Sequence, residues 1–293
     1  MIHFGFPAQH TARLRMTFAL PLAVFVLVAG AASAGAQEQV DRTRDRGDGQ
    51  PISMLGTYVK RGELLVYPFY EYYWDHNFEY KPEELGFGLG TDFRGKYRAH
   101  EGLILVAYGI SDRFALEFEV AGISASLDKS PLDPSAMPSR LEQSGLGDVE
   151  GQLRWRWSRE TATRPEYFGY FETVFPSQEA QTLIGTRDWE FKFGTGLVRG
   201  LSWGTITVRG SVAHSAGVFE VGEYAFEYLR RVSPRLRLVG SFEGTQDELA
   251  LIGEAQVFLT PNIFVKLNNA FGVTSKAIDF APELGVMMVF PLR

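Results

Sequence analysis

The chain has no cysteine among its 293 residues. That excludes a disulfide scaffold, a Cys-ligated zinc site and a lipid anchor on an N-terminal cysteine. Positive charge is also in deficit, with 29 Lys and Arg against 35 Asp and Glu and a formal charge of −6. Phosphate binding needs a basic surface, so nucleic acid is excluded as a partner. Beyond residue 29 there is no long apolar run, and the mean hydropathy is −0.09. A helical membrane bundle, whose spans each need roughly 20 apolar residues, is therefore ruled out. The five histidines include no pair at metal-ligand spacing. Gly86-Phe87-Gly88-Leu89-Gly90 lacks the lysine and following helix of a phosphate loop, so no cofactor and no metal are expected.

What is present begins with an address. Arg13 and Arg15 precede the apolar run Met16–Ala29, and the small residues Ala31, Ala32, Ser33, Ala34, Gly35 and Ala36 follow. A basic patch, a short apolar run and an Ala-x-Ala end describe a secretory signal over residues 1–36. Residues 37–62 start with Glu38, Asp41, Arg42, Arg44, Asp45, Arg46 and Asp48, and Val40 is the one aliphatic side chain before Gln50. Such a segment buries too little to offset its ordering entropy, and reads as a flexible periplasmic leader.

From residue 63 the pattern has a period of two. In Val149–Trp157 the odd positions are apolar or glycine and the even positions are Glu150, Gln152, Arg154 and Arg156. On a strand this places charge on one face and Val149, Leu153, Trp155 and Trp157 on the other. Trp189–Phe193, Phe114–Val120 and Tyr224–Tyr228 repeat it. About twelve such segments follow one another, each about ten to twelve residues long. They are expected near 64–75, 101–111, 114–124, 147–158, 166–176, 188–199, 203–214, 221–231, 235–245, 248–259, 263–271 and 279–290. Tight turns at 111–113, 201–202, 233–234 and 260–262 alternate with longer polar stretches at 76–99, 125–146 and 177–187. Short on one side and long on the other is the pattern of an outer-membrane barrel.

Alternation alone does not say which face looks inward; magnitudes do. Soluble strands run about 5–6 residues, and these are nearly double. About eleven residues rise about 36 Å, and a tilt of about 40° leaves roughly 28 Å, close to the apolar band of a bilayer barrel. The fold class expected for residues 63–293 is therefore all-β: a transmembrane, up-and-down, antiparallel β-barrel of about twelve strands in the outer membrane of a Gram-negative bacterium. Aromatics at strand ends, among them Tyr67, Phe69, Tyr70, Tyr72, Tyr73 and Trp74, are expected to form interfacial girdles. The uniformly aromatic 60–75 segment leaves its own register ambiguous. The terminal strand carries Phe280, Leu284, Val286, Met288 and Phe290 on one face, a pattern that outer-membrane assembly machinery reads.

Ser144-Gly145-Leu146-Gly147-Asp148 opening an amphipathic strand, a short basic turn, and a strand closing on Phe175-Pro176-Ser177 resemble a family of outer-membrane transporters associated with the meta-pathway of phenol degradation. The motif spans 144–177 and the architecture roughly 100–290. Where that family has Pro-Thr-Gly, this chain has Pro176-Ser177-Gln178. The resemblance implies a barrel that admits hydrophobic or aromatic molecules. Read on their own, Gly145 and Gly147 permit backbone turns at the outer rim, and Asp148 starts the inward set.

The expected lumen-lining residues are Glu117, Glu119, Glu150, Arg154, Arg156, Glu172, Glu190, Lys192, Arg209, Glu227, Arg237 and Glu254. The expected lipid-facing residues are Val149, Leu153, Trp155, Trp157, Trp189, Phe191, Phe193, Tyr224, Phe226, Tyr228 and Phe290, which would meet outer-membrane lipid and lipopolysaccharide. A passive channel or transporter for a small solute follows from that division, with the 76–99 and 125–146 loops at its outer mouth. A barrel enzyme acting on lipid or lipopolysaccharide is the alternative, with His214-Ser215 and Glu220 or Glu223 as its candidate residues. Adjacent strand residues point to opposite faces, which argues against a shared proton and against catalysis. A surface barrel without a pore is the third reading. Acidic residues Asp75, Glu79, Glu83, Glu84 and Asp92 read as a solvated loop rather than a calcium site.

Overall fold

A computed structural model describes residues 59–176 and 183–292. The expected signal, most of the leader, and Ser177 and Gln178 lie outside these residues. Twelve strands follow in order: β1 (Glu63–Tyr80), β2 (Phe93–Gly109), β3 (Phe114–Asp128), β4 (Arg140–Ser158), β5 (Glu166–Phe175), β6 (Glu190–Leu201), β7 (Gly204–Ser215), β8 (Val218–Ser233), β9 (Leu236–Gly244), β10 (Leu249–Thr260), β11 (Ile263–Gly272) and β12 (Phe280–Pro291). Each pairs antiparallel with its neighbours in sequence, and β1 closes on β12. Closure leaves no open edge, which is the condition for a sheet to sit in lipid.

Burial fixes the direction of the alternating faces. In a single closed sheet, a side chain shielded from solvent lies inside. Arg154 is 2% exposed while Trp157 is 52% exposed. The same holds at Lys192 against Phe193, and at Glu227 against the outward Tyr228. Leu116, Phe118, Val212, Val221, Leu251, Leu267 and Leu284 extend the exposed apolar surface around the barrel. An apolar outer surface of that extent has a physical rationale only in an apolar solvent.

Several local expectations are corrected. The 76–99 and 125–146 stretches are half strand: β1 runs to Tyr80, β2 starts at Phe93, β3 runs to Asp128 and β4 starts at Arg140. The 18 residues of β1 and 19 of β4 rise roughly 60 Å, well beyond the bilayer's apolar band, so they project as a rim. The Gly-x-Gly-Asp motif lies inside β4 rather than at its entry. The register there slips between Val120↔Val149 and Gly122↔Leu146, which makes Gly147 and Asp148 a bulge. A side chain on Gly147 would come within 2.3 Å of Ile123, so the residue's small size is what lets β4 pack there.

The leader's last residues are also packed. Val59 is fully buried with Leu65, Leu105 and Ala107, and Arg61 bridges to Gly109. The segment reaches the wall because Gly109 has no side chain: a Cβ would meet the Lys60 carbonyl oxygen at 1.8 Å.

Finally, β1 does not form a simple girdle. Tyr67, Phe69 and Tyr73 are buried inside, and Tyr70 and Trp74 are exposed outside. Over Leu65–Phe69 the inner face of this strand is apolar because the inner wall beside it is apolar, and Glu71 and Asp75 follow on the same face.

The barrel interior as candidate functional site

The interior has a charged half, an apolar half and a cap. On the charged half, β3 to β8 carry one continuous network. Arg154 lies 3.5 Å from Glu117 and donates from Nε and Nη2 to Gln152 Oε1 at 3.0 and 2.8 Å. Gln152 Nε2 donates to Glu172 Oε2 at 2.6 Å, and Lys192 Nζ donates to Glu172 Oε1 at 2.7 Å. Lys192 also reaches Glu223 Oε1 at 3.2 Å, and Arg209 Nη2 donates to Glu223 Oε2 at 2.6 Å. Toward the chain termini, Arg156 pairs with Glu166 at 3.1 Å. Such pairs are tolerated when both signs meet and hydrogen bonds fill the remaining valences.

Rings lie against the cations as well. Arg209 sits over Tyr170, Arg154 over Phe168, and Arg237 only 4.0 Å above Phe258. The apolar half faces them at the terminal end of the barrel, where Leu65, Tyr67, Phe69, Leu103, Leu105, Phe264, Met287 and Val289 pack together. Lys266 crosses this half, paired with Glu254 at 3.2 Å and held over the Tyr67 ring.

The cap lies at the other end. Leu85 from the β1–β2 loop, Met137 from the β3–β4 loop, and Leu183 and Ile184 from the β5–β6 connection bury themselves against Tyr73, Phe78, Tyr80 and Tyr97. Wall residues pin this connection: Thr186 N–H donates to Asp148 at 2.7 Å and Leu183 N–H donates to Gln143 at 3.1 Å. Arg187 reaches the Glu84 carbonyl at 2.7 Å. In the β3–β4 loop, Asp133 accepts from Ser135 N–H at 2.7 Å and from Tyr80 O–H at 2.9 Å. Desolvation pushes the Asp133 carboxyl up, but these donors outweigh it and hold the group below the usual carboxylate range.

Arg154, Arg156, Glu172, Glu190, Lys192, Arg209, Glu227 and Arg237 are buried, and Glu117, Glu119, Glu150 and Glu254 are half-buried. All twelve alternate with outward neighbours. Trp157, Trp189, Phe193 and Phe290 are exposed, while Val149, Leu153, Trp155, Phe191, Tyr224, Phe226 and Tyr228 are half-buried against neighbouring outer side chains. Sequence reasoning missed the apolar half, and with it Glu71, Glu101 and Glu283. It also missed the network role of Glu223, whose odd-numbered place beside Ala225 and Glu227 was a usable signal.

His214 and Ser215 sit in successive positions of β7, and the His214 ring packs on Phe219 with centroids 4.5 Å apart. Asp75, His76 and Asp279 come together at the mouth and could hold a metal ion, a grouping hidden from sequence by the 203 positions between His76 and Asp279. Of the acids read as a solvated loop, Glu79 pairs with Arg94 and Lys276, and Glu84 and Asp92 pair with Lys81.

No protein-family model and no curated protein matches the chain, so the resemblance carried by residues 144–177 finds no support there. Solved structures do match. An outer membrane channel from Pseudomonas putida F1 is 15% identical, with a TM-score of 0.57, covering 80% of this chain and 97% of that one. The KdgM porin in complex with disordered oligogalacturonate is 7% identical with a TM-score of 0.48, covering 77% and 99%. The toluene transporter TbuX of Ralstonia pickettii is 10% identical with a TM-score of 0.39, covering 84% and 95%. The first of these likenesses places the fold among outer-membrane barrels.

Proposed function

We propose that this barrel is a passive outer-membrane channel for small, amphipathic or aromatic solutes. The observation that carries the reading is the uninterrupted charged network on one half of the inner wall, facing an apolar half. Burying so many ionised groups is unfavourable compared with packed apolar side chains. A barrel serving only as a structural anchor gains nothing from them, whereas a passage for water and solute does. A solute with one polar and one apolar side would find a partner on each wall. The outward face would meet lipid and lipopolysaccharide, and the terminal strand would be read by the assembly machinery.

The cap restricts this passage at the mouth, and Asp148 and Gln143 hold it. Planar-bilayer recording on the full protein tests the reading. Small unitary steps are expected for the wild type, and larger ones for Asp148→Ala combined with Gln143→Ala. Silence from both proteins would favour the pore-less barrel.

A further inference from the structure

The charged network covers β3 to β8. Elsewhere, inward acids outnumber inward bases. On the inward faces of β10, β11, β12, β1 and β2, Lys266 is the single basic side chain among the described residues. It is already engaged by Glu254 at 3.2 Å. The register sets three other acids side by side: Glu71 lies opposite Glu101 on β2 and opposite Glu283 on β12. Directly opposed residues on paired strands have Cβ atoms about 4.5–5.5 Å apart, so the Glu71 carboxylate is within reach of both neighbours.

The three are not equally provided for. Tyr73 O–H donates to Glu71 at 2.6 Å, and Tyr67 O–H donates to Glu283. Glu101 is 1% exposed, and neither of its carboxylate oxygens has a hydrogen-bond partner among the described residues. A buried carboxylate without a donor, beside a second carboxylate, is unfavourable unless a positive charge joins it.

We propose that Glu71, Glu101 and Glu283 hold a hard divalent cation of the calcium class inside the barrel. The donors are oxygen only, which selects against soft, thiolate- or imidazole-preferring metals. Asn268, opposite Glu283 on β11, adds a neutral amide oxygen on the same face. Carboxylates fixed on three strands form an irregular shell, which suits the flexible six- to eight-fold coordination of calcium better than the strict octahedron of magnesium. A charge of +2 offsets most of the triad's charge, whereas a lone monovalent ion leaves the larger part uncompensated. The site lies on the inner wall that the proposed passage shares, but binding is measurable whether or not the barrel conducts.

Terbium(III) is a suitable probe, because it occupies calcium sites and is sensitised by adjacent tyrosines, here Tyr67 and Tyr73. The full protein, folded in detergent without lipopolysaccharide and treated with chelator, is titrated with terbium under excitation of the aromatic side chains. Sensitised emission displaced by calcium, and far less by magnesium or sodium, is expected. Glu101→Gln keeps the shape of the side chain and should weaken both terbium and calcium binding by at least roughly tenfold, since even partners one shell further out carry that much. Asp279→Asn, which alters the exposed acid and histidine group at the mouth, should leave the signal in place. Binding unchanged in Glu101→Gln, or absent from the wild type, overturns the proposal. The second result is what a proton shared among the three carboxylates would produce.

Discussion

Glu223 divides its carboxylate between two cations, receiving Lys192 at Oε1 (3.2 Å) and Arg209 at Oε2 (2.6 Å). Lys192 stands on β6, Arg209 on β7 and Glu223 on β8, so one acid ties three strands together from inside.

Replacing Glu223 with Ala should therefore cost more than an ordinary ion-pair deletion. Two buried cations would lose a shared partner, although Lys192 keeps Glu172. A loss of about 3–5 kcal/mol is expected, as for other broken buried pairs. Heat-dependent loss of the folded band on a semi-denaturing gel measures it. Glu223→Gln, which keeps two polar atoms, should fall between Ala and wild type.

Gly109→Ala should expel the Val59–Arg61 segment from the barrel floor, because the added carbon would meet the Lys60 carbonyl oxygen at 1.8 Å. The expected cost is about 1–3 kcal/mol, the range for overpacking. The discriminating readout is proteolysis: cleavage near Lys60 and Arg61 should quicken while the barrel stays intact. Unchanged cleavage would mean that the wall yields instead.

The cap should loosen in acid. Asp133 titrates below the usual carboxylate range because the Ser135 and Tyr80 donors outweigh its desolvation. A folded value below the unfolded one means that the ionised group contributes stability above about pH 4, the unfolded value. That contribution is lost as pH falls through the lower folded value. Protection of amides in residues 129–139 against hydrogen exchange, measured relative to the intrinsic rate at each pH, should fall below about pH 4. Asp133→Asn should show reduced protection already at neutral pH and little further loss of protection in acid.

The division of the chain into strands was legible wherever the two faces contrast in polarity. Val149–Trp157 is the clearest case: the apolar outer face lies on one side and the charge network on the other, so the period of two is unbroken. The same rule fails on β1, where Tyr67, Phe69 and Tyr73 face an apolar interior and Tyr70 and Trp74 face outward. With both surroundings apolar, nothing in the pattern distinguishes them. The mouth was misread for a related reason. Residues 76–80 and 93–99 are strand, but they belong to the projecting rim, where polar side chains suit both faces and the pattern resembles a loop. Partnerships at long range, such as Asp148 with Thr186 or Glu71 with Glu283, depend on register, which single-strand periodicity does not carry.

The seam between β1 and β12 joins Glu63 to Pro291 and Trp74 to Phe280. Its two margins are made at opposite times during synthesis. Before β12 pairs, a sheet of the other strands would leave the β1 margin with unsatisfied amides and carbonyls along nearly its whole length. An unpaired margin of that length is prone to pair with another chain, so closure on β12 is also what protects the barrel from aggregation.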